Sequence, residues 1–285
     1  MKINNNTRFL IVGLGLIGGS YAYRLKEKGY YVGAIDIDIN SINYALENNI
    51  IDSGSSILEE NYIKSFDIII FALYPHTFVN WIKENQNLLK ENALITDVTG
   101  VKKVVVNEIQ NILRNDLDFV PSHPMAGRET SGVSHSKEVS FIDANYLVVP
   151  FDSNKKENIE TIKELGHILG FKNVSTISVD EHDQMIAFLS QLTHCIAISL
   201  MNASDNEKLN KYSGDSFRDL TRIAKINENM WTELFLANKE QLIKEIELFD
   251  QELNKLKIAI KEEDEDAIKE MMKISTKRRK KFDIN

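Results

Sequence analysis

The stretch RFLIVGLGLIGGS, Arg8–Ser20, joins a short β-rich run to glycines spaced as G-x-G-x-x-G. Gly13 permits a tight turn, Gly15 lets the backbone approach a pyrophosphate, and Gly18 allows a helix to pack closely on the strand. The N-terminus of that helix favours a negatively charged ligand. Because the glycines follow a strand and open a helix, the stretch predicts a dinucleotide-binding turn rather than a glycine-rich turn without a ligand.

The strand after this turn predicts which dinucleotide is bound. Asp36 ends the strand, 18 residues after Gly18, where a carboxylate accepts hydrogen bonds from a ribose diol. Ile37 and Asp38 follow and offer no positive charge for a 2′-phosphate, so the stretch favours NAD over NADP. Asp38 is a second candidate for the ribose contact. The predicted cofactor-binding residues are Gly13, Gly15, Leu16, Ile17, Gly18, Asp36 and Asp97.

The composition is that of a folded, acidic protein. The chain has 285 residues, 43% of them hydrophobic and 27% charged, which is enough for two ordinary domains. A formal net charge of −8 argues against binding to nucleic acid or anionic lipid, because both are bound mainly through excess Lys and Arg. A single cysteine, Cys195, excludes an intrachain disulfide and a cysteine-rich zinc site and suits a reducing cytoplasm. We therefore expect small-molecule chemistry without a metal.

Membrane insertion is not expected either. Phe9–Gly19 imitates the apolar core of a secretory signal, but its glycine spacing supports the nucleotide turn. No other apolar run approaches the ~20 residues that a bilayer crossing needs. We therefore predict a cytoplasmic protein with no membrane partner.

The first part of the chain alternates β-rich runs with helical patterns, which is typical of a parallel sheet with crossover helices. The candidate strands are RFLIVG, YYVGAID, FDIIIFAL, ALITDV, DFVPS, NYLVVP and a last one at Asn173–Ile177. The candidate helices include Gly18–Lys28, Ile39–Asn48, Val101–Arg114 and Lys155–Leu169. We predict an α/β fold in which residues 1–178 form an NAD-binding domain with a Rossmann-type doubly wound parallel sheet.

Beyond Asp180 the strand signals end, and we predict an all-α domain of residues 179–285. Its expected helices are Asp180–Asn202, Ser216–Ile226, Asn229–Glu262 and a last one from Asp264. In the longest helix an apolar seam recurs at alternating spacings of four and three, through Leu242, Ile246, Phe249, Leu253, Leu256 and Ile260. At roughly 50 Å this helix exceeds what a small domain needs. We interpret the domain as the dimerisation domain of a homodimer, with an intrachain bundle as the alternative.

Three segments that follow candidate strands are expected to rim one cleft: ALYPHT, DVTGVK and SHPMAGRETSG. In the last, Ser122 to Gly132, the glycines and proline predict a rigid loop from which His123, Arg128 and Glu129 project. Oxidation of an alcohol with NAD releases a hydroxyl proton, which needs a base with a pKa near working pH. His123 is the candidate base, the alternative being a loop histidine satisfied by neighbouring backbone.

The helical stretch HDQMIAFLSQLTHCIAISL carries further candidates. Ser190, Gln191 and His194 share one side of the helix, away from its apolar stripe. His182 and Asp183 are interpreted as the start of the helix rather than as part of a site.

In the stretch SFRDLTRIAKINENMW, Arg218, Asp219 and Arg222 lie opposite the apolar side of a helix. An arginine there offers a planar fork of donors that matches a carboxylate. A structural ion pair is the alternative, and we prefer it for Arg218.

Taken in order, GLGLIGGS, DVTGVK, SHPMAGRETSG, EHD…SQLTH and FRDLTRIA…MW resemble the motifs of the prephenate dehydrogenase family. The resemblance implies a Rossmann domain joined to an all-helical dimerisation domain, with NAD(P)-dependent oxidative decarboxylation of prephenate to 4-hydroxyphenylpyruvate in tyrosine biosynthesis. It also implies that His123 accepts the proton of the ring hydroxyl, that His194 lines the pocket and that Arg222 binds a substrate carboxylate. Glu129 and Asp219 match acidic positions of an ionic network near the pocket entrance.

Two positions depart from that family pattern. The family often has serine at the position of Gly100, where its hydroxyl contacts the catalytic histidine, and here only Thr99 offers a hydroxyl. Many members have histidine at the position of Gln191, which here offers a neutral hydrogen bond. The candidate catalytic residues are His123, Thr99 and His194, and the candidate substrate-binding residues are Arg222, Ser122, Gln191, Glu129 and Asp219.

Three other functions compete with prephenate oxidation. An arogenate dehydrogenase performs the same chemistry on a substrate with an amino-acid side chain, and the sequence does not separate the two. A β-hydroxyacid dehydrogenase shares the two-domain plan but is disfavoured by SHPMAG and TRIA. A catalytically silent NAD-binding regulator is the alternative from a different class.

Overall fold

The computed structural model describes residues 1–127 and 130–283, and its N-terminal part contains a six-stranded parallel sheet. The strands are β1 (Arg8–Val12), β2 (Tyr31–Ile35), β3 (Ser53–Ser55), β4 (Ile68–Phe71), β5 (Leu94–Asp97) and β6 (Asp118–Phe119). They lie in the order β3-β2-β1-β4-β5-β6. The chain adds β2 and β3 on one side of β1 and then crosses back to add β4, β5 and β6 on the other side. This is the doubly wound order of a Rossmann-type sheet, and it confirms the predicted fold class.

The central strand β4 is apolar along its whole length because helices cover both faces of the sheet. Every residue of β4 is buried, and two separate apolar clusters occupy the two faces. The helices of this part are α1 (Leu16–Glu27), α2 (Ile39–Glu47), α3 (Glu60–Ile63), α4 (Pro75–Asn85), α5 (Lys103–Gln110) and α6 (Lys156–Leu169). The carboxyl ends of β1, β4 and β5 therefore share one edge, at which the glycine turn begins.

A second, three-stranded sheet contains β7 (Ser122–Pro124), β8 (Asn145–Val148) and β9 (Asn173–Thr176). β7 runs antiparallel to β8, with His123 opposite Leu147. The prediction of a loop beginning at Ser122 is therefore wrong for its first three residues. Pairing with a strand more than 20 residues away overrides the local proline signal.

The remaining chain is helical, as predicted. Its helices are α7 (Val179–Ile186), α8 (Thr193–Asn202), α9 (Leu209–Tyr212), α10 (Asp215–Thr221), α11 (Glu228–Ala237), α12 (Lys239–Lys261) and α13 (Glu265–Arg279). α7 begins with a capping box, in which the side chains of Ser178 and Glu181 each bond the other's backbone N–H. A π-helical turn, Ala187–Leu192, joins α7 to α8, and such turns often occur at functional sites.

The stretch Val179–Asn202 is long and apolar enough, by length and composition alone, to cross a membrane. The prediction that no apolar run other than Phe9–Gly19 approaches the length of a membrane span is therefore wrong. A helix of a soluble protein passes the same test. Three of its polar side chains, those of His182, Asp183 and Gln191, are buried and bonded within the protein.

The predicted single helix Asn229–Glu262 is interrupted at Asn238, where φ is −120° and ψ is 24°. The buried Asn238 side chain donates to the Asp183 carbonyl oxygen and to Gln191 Oε1, both at 2.8 Å. These bonds hold the residue outside the helical conformation. α12 alone has 23 residues, or about 35 Å, so the estimate of 50 Å is wrong.

The chain separates into two compact units, Met1–Asn238 and Lys239–Asn285. In the second unit α12 packs on α13, and Asp264 caps α13 by accepting from the backbone N–H of Ala267 at 2.9 Å. The apolar seam on α12 is largely exposed at Ile246, Phe249, Leu253 and Ile260. The predicted domain boundary between residues 178 and 179 falls at the capped start of α7 and stays a prediction.

We expect Asn238→Ala to lower the free energy of unfolding by about 2 kcal/mol, because it leaves the buried Gln191 amide oxygen without its Asn238 donor and removes one of two donors to the Asp183 carbonyl oxygen. Urea unfolding followed by circular dichroism measures the change. Asn254→Ala is the control, at a half-buried position on α12 where the amide donates only to the Asp250 side chain one turn away. Equal effects of the two substitutions would contradict the role given to Asn238.

Candidate active site

The glycine turn after β1 has the geometry of a dinucleotide site. Gly13 has φ +100°, and a Cβ there would lie 2.6 Å from the Ala72 carbonyl oxygen. A Cβ on Gly18 would overlap the Gly13 carbonyl oxygen, so the helix packs against the turn as closely as backbone permits. Gly15 has nothing within 4 Å of its Cβ position, which leaves the N-terminus of α1 open to a phosphate.

Asp36 lies beside this turn, at the end of β2. Its Oδ2 accepts from the backbone N–H of Leu14 at 2.6 Å, and its Oδ1 accepts from that of Asp38 at 2.8 Å. Ile37 is 97% exposed and presents no charge. Asp38 instead caps α2 by accepting from the N–H of Asn40, which favours Asp36 for a ribose diol. The turn, the helix terminus and this carboxylate fit NAD.

At the carboxyl end of β5, Lys102 and Asp97 form an ion pair with no exposed surface on either residue. Lys102 Nζ lies 2.6 Å from Asp97 Oδ2 and donates to the Ser122 carbonyl oxygen, also at 2.6 Å. Burial lowers the pKa of Lys102, and the Asp97 carboxylate opposes that shift. The ion pair therefore fixes the segment after β5 to β7, one residue before His123.

Three predicted ligand contacts belong to this buried cluster. Asp97 and Ser122 have no exposed surface, Thr99 is 4% exposed, and all three side chains form hydrogen bonds within the protein. The Thr99 hydroxyl donates to Asp97, and the Ser122 N–H donates to Asp97 Oδ1 at 3.1 Å. Cofactor contact for Asp97, catalysis for Thr99 and substrate contact for Ser122 stay predictions. Their side chains hold the loop beside His123.

His123 stands in β7 and contacts a second histidine on α7. Its Nδ1 lies 2.9 Å from His182 Nε2, and His182 Nδ1 lies 2.7 Å from Asp183 Oδ1. Asp183 also accepts from the backbone N–H groups of Lys102 and Lys103, both at 2.9 Å. His182 and Asp183 lie in α7, near the start of the helix as the sequence indicated, and both also connect to the candidate base.

The environment of His123 favours the neutral imidazole. Burial lowers its pKa well below the usual value of 6.5, and repulsion by Lys102, and by His182 whenever that ring is protonated, adds to the shift. Burial also lowers the pKa of His182, while its hydrogen bond to Asp183 opposes that change. A neutral His123 has a lone pair with which it can accept a proton.

The next two candidates, Gln191 and His194, lie on the π-helical turn and on α8, and their side chains make different contacts. His194 Nδ1 donates to the Ser190 carbonyl oxygen at 2.8 Å, and its ring stacks on Trp231 with centroids 3.6 Å apart. Gln191 is buried, donates to the Leu234 carbonyl oxygen at 2.8 Å and accepts from Asn238. The predicted substrate contact of Gln191 is therefore not supported, because its amide joins α11 to the π-helical turn.

The charged candidates on α10 and the 3₁₀ turn after it lie at the surface. Arg222 begins the turn Arg222–Ala224, which packs against α8, and Asp219 is exposed. Arg218 forms an ion pair with Asp215 and donates to the Ser213 carbonyl oxygen at 2.8 Å, whereas the sequence had suggested Asp219 as its partner. Arg128 and Glu129 lie outside the described residues.

Sequence reasoning gave no role to Lys102, His182, Asp183, Trp231 or Asn238. Lys102 closes the quoted motif DVTGVK, and His182 and Asp183 stand in EHD, so the stretches were found but not their contacts. A lysine that follows a strand usually stays solvated, and only the fold shows that this one is enclosed.

Two family models match the chain. "Prephenate dehydrogenase, nucleotide-binding domain" matches residues 21–174, and "Prephenate dehydrogenase, dimerization domain" matches residues 178–274. The first match alone covers more than half of the 285 residues.

Individual relatives agree with the family models. The prephenate dehydrogenase of Bacillus subtilis (strain 168) is 30% identical over 264 residues, which are 90% of this chain and 70% of that protein. The cyclohexadienyl dehydrogenase of Zymomonas mobilis is 28% identical, covering 94% of each chain. The crystal structure of the A. aeolicus prephenate dehydrogenase with hydroxyphenyl propionate and NAD+ superposes with a TM-score of 0.88 and 32% identity, covering 99% of this chain and 100% of that one.

Two glycine substitutions distinguish effects on NAD binding from effects on the stability of the turn. We expect Gly15→Ala to leave stability unchanged but to weaken NAD binding by about 10-fold, because its methyl group occupies the approach of the pyrophosphate. Gly18→Ala should weaken binding and also lower the free energy of unfolding by about 1–3 kcal/mol, through overlap with backbone. Calorimetric titration with NAD and urea unfolding measure both quantities.

The control for these glycines is Gly214→Ala, at another helix N-cap with open space around it. NAD binding by Gly15→Ala equal to that of the control would contradict the assignment of the turn.

The buried ion pair predicts that substitutions of the adjacent lysines, Lys102 and Lys103, differ in their effect on stability. Lys102→Met leaves Asp97 buried without its counter-ion and should cost about 3–5 kcal/mol of stability. Lys103→Met removes an exposed pair with Asp180 and should cost less than about 1 kcal/mol. Thermal and urea unfolding compare the two variants, and a similar loss in both would refute the structural role of Lys102.

Proposed function

The chain belongs to the prephenate dehydrogenase family, and we propose that it catalyses the NAD-dependent oxidative decarboxylation of prephenate to 4-hydroxyphenylpyruvate in tyrosine biosynthesis. One observation carries this proposal: the dinucleotide turn lies at the carboxyl edge of the parallel sheet, and Lys102, which follows β5 at that edge, bonds the residue next to His123, a histidine of lowered pKa. A hydride acceptor and a base for a hydroxyl proton are the two parts that alcohol oxidation needs.

The chain's residues supply binding and a proton acceptor. Gly13, Gly15, Gly18 and Asp36 hold NAD, which when bound takes up the hydride from C4 of the substrate ring. His123 accepts the proton of the C4 hydroxyl as its oxygen becomes a carbonyl. The ring carboxylate leaves as CO2, its bonding electrons pass through the ring to the C4 carbonyl oxygen, and that oxygen takes back a proton to give the phenol. Because aromatisation drives the reaction, the protein mainly positions the substrate.

Substrate recognition is assigned to charged and aromatic groups near α8. Prephenate carries two carboxylates, and the Arg222 guanidinium matches one of them bidentately. His194 lines the pocket, with its ring held by Trp231 and its Nδ1 occupied by the Ser190 carbonyl, so that Nε2 is available as an acceptor. Asp219 and Glu129 are proposed members of an ionic network at the pocket entrance.

A second substrate deserves the same test. One relative is a cyclohexadienyl dehydrogenase, and arogenate differs from prephenate only in bearing an amino acid in place of the keto acid. The reacting ring is the same in both. The groups that contact the side chain therefore decide between them.

We also propose a homodimer formed through residues 179–285, with the boundary to the NAD-binding domain between residues 178 and 179. The name of the second family model and the exposed apolar residues on α12 support a partner helix from another copy. We further propose that the enzyme works in the cytoplasm, in keeping with its one cysteine.

The experiment that tests the function is a matrix of steady-state rates with prephenate and arogenate, each under NAD and NADP. We expect the highest kcat/KM with prephenate and NAD. Activity confined to arogenate would overturn the substrate assignment, and absence of activity with both would overturn the function.

The proposed roles predict opposite kinetic effects for two substitutions. His123→Asn should lower kcat by about 10²- to 10⁴-fold with little change in KM, because it removes a transition-state proton acceptor. Arg222→Gln should instead raise KM about 10- to 100-fold, the loss expected for a charged hydrogen-bonded pair. His167→Asn, at an exposed position on α6, is the control. Exchanged effects would contradict the assignment of base and anchor.

A further inference from the structure

We propose that Asp183 and His182 form a hydrogen-bond relay that sets the tautomer of His123, so that Nε2 of His123 is the proton acceptor. The proposal rests on the proposed function only in taking His123 as the base. His182 and Asp183 act through His123 and are positioning residues. The relay is defined by two contacts, Asp183 to His182 at 2.7 Å and His182 to His123 at 2.9 Å.

The donor and acceptor roles in the relay follow from the contacts of Asp183. Its two oxygens face the backbone N–H groups of Lys102 and Lys103 and the Nδ1 atom of His182. Since both backbone groups can only donate, Asp183 acts as an acceptor, and an ionised carboxylate has no proton to give. His182 Nδ1 therefore carries a hydrogen and donates it.

The second contact follows from the first. A neutral imidazole has one N–H, so a hydrogen on His182 Nδ1 leaves its Nε2 as a bare acceptor. His123 Nδ1 faces that acceptor and must donate to it. The hydrogen of neutral His123 is thus held on Nδ1, and its lone pair on Nε2 is left for the substrate.

This arrangement also stabilises the product of proton transfer. When Nε2 of His123 takes the hydroxyl proton, the ring becomes an imidazolium and its Nδ1–H bond to His182 strengthens. The proton stays on His123 until the phenol oxygen takes it back, and no transfer to His182 is needed. The negative charge of Asp183 stands behind His182 and opposes the cost of a buried cation.

The other charged groups near the relay do not supply the hydrogen bonds that set these tautomers. Lys102, from the segment after β5, is the cation that faces both histidines, and its ammonium group is paired with Asp97 of β5. Lys103 contributes its backbone N–H to Asp183. A neutral His182 accepts a hydrogen bond from the cation on His123 and stabilises it. A protonated His182 would instead repel that cation and destabilise it.

The first test reads tautomers in the wild-type protein without substrate. Nitrogen-15 NMR of histidine-labelled protein, at a pH well above 6.5, distinguishes protonated from bare ring nitrogens. His123→Asn and His182→Asn spectra assign the two rings. We expect both rings to carry hydrogen on Nδ1 and none on Nε2. Hydrogen on Nε2 of either ring would overturn the relay.

The second test is kinetic and uses two substitutions of one residue. His182→Asn retains an amide near the position of Nδ1 but removes the acceptor for His123, and should lower kcat about 10- to 100-fold with KM nearly unchanged. His182→Gln places an amide oxygen near the position of Nε2 and should recover part of the loss. His167→Asn is again the surface control.

The pH profile of kcat separates this role from a merely structural one. Without the acceptor at His182, the imidazolium of His123 is less stable, so the acid limb of His182→Asn should move to lower pH. An unmoved limb, or one that moves to higher pH, would overturn the relay. Wild-type protein inactive with prephenate and arogenate would instead reject the proposed function, and the NMR result would still decide the tautomers.

Discussion

The buried ion pair between Lys102 and Asp97 is the constraint on which the arrangement of the site depends. Two charges without exposed surface are costly to bury, and here hydrogen bonds from Thr99 and to the Ser122 carbonyl offset that cost. Lys102 contributes twice, because its ammonium group bonds the strand that carries His123 while its backbone N–H bonds Asp183. One residue thereby joins the parallel sheet, the small second sheet and α7.

This junction explains how the chain combines a rigid base with a dinucleotide turn. His123 is neither on a free loop nor deep in the core, since β7 fixes its backbone and His182 fixes its ring. Burial keeps the imidazole neutral, as a proton acceptor must be before the reaction. The glycine turn follows β1 at the edge of the parallel sheet where β5 also ends, and Lys102 bonds the end of β5 to the strand that carries His123.

The sequence alone predicted those features that depend on local pattern. The glycine spacing, the apolar strands and the loss of strand signals after Asp180 led to the correct fold class, and His123 was identified from its motif. It could not show the pairing of β7 with β8, because that contact joins distant segments. Nor could the sequence show that the helix predicted from Asn229 to Glu262 is interrupted at Asn238, since the reason is a hydrogen bond to Gln191. Hydroxyls that looked suited to substrate, such as that of Thr99, are enclosed by a charge pair visible only in three dimensions.

The central claim is that this site couples removal of hydride and a hydroxyl proton to loss of the ring carboxylate. The most direct measurement follows one reaction of the wild-type protein with prephenate and NAD, recording NADH, CO2 and aromatic product together. The account predicts equal amounts of all three, appearing at the same rate. Formation of NADH without matching CO2, or of aromatic product without NADH, would contradict it.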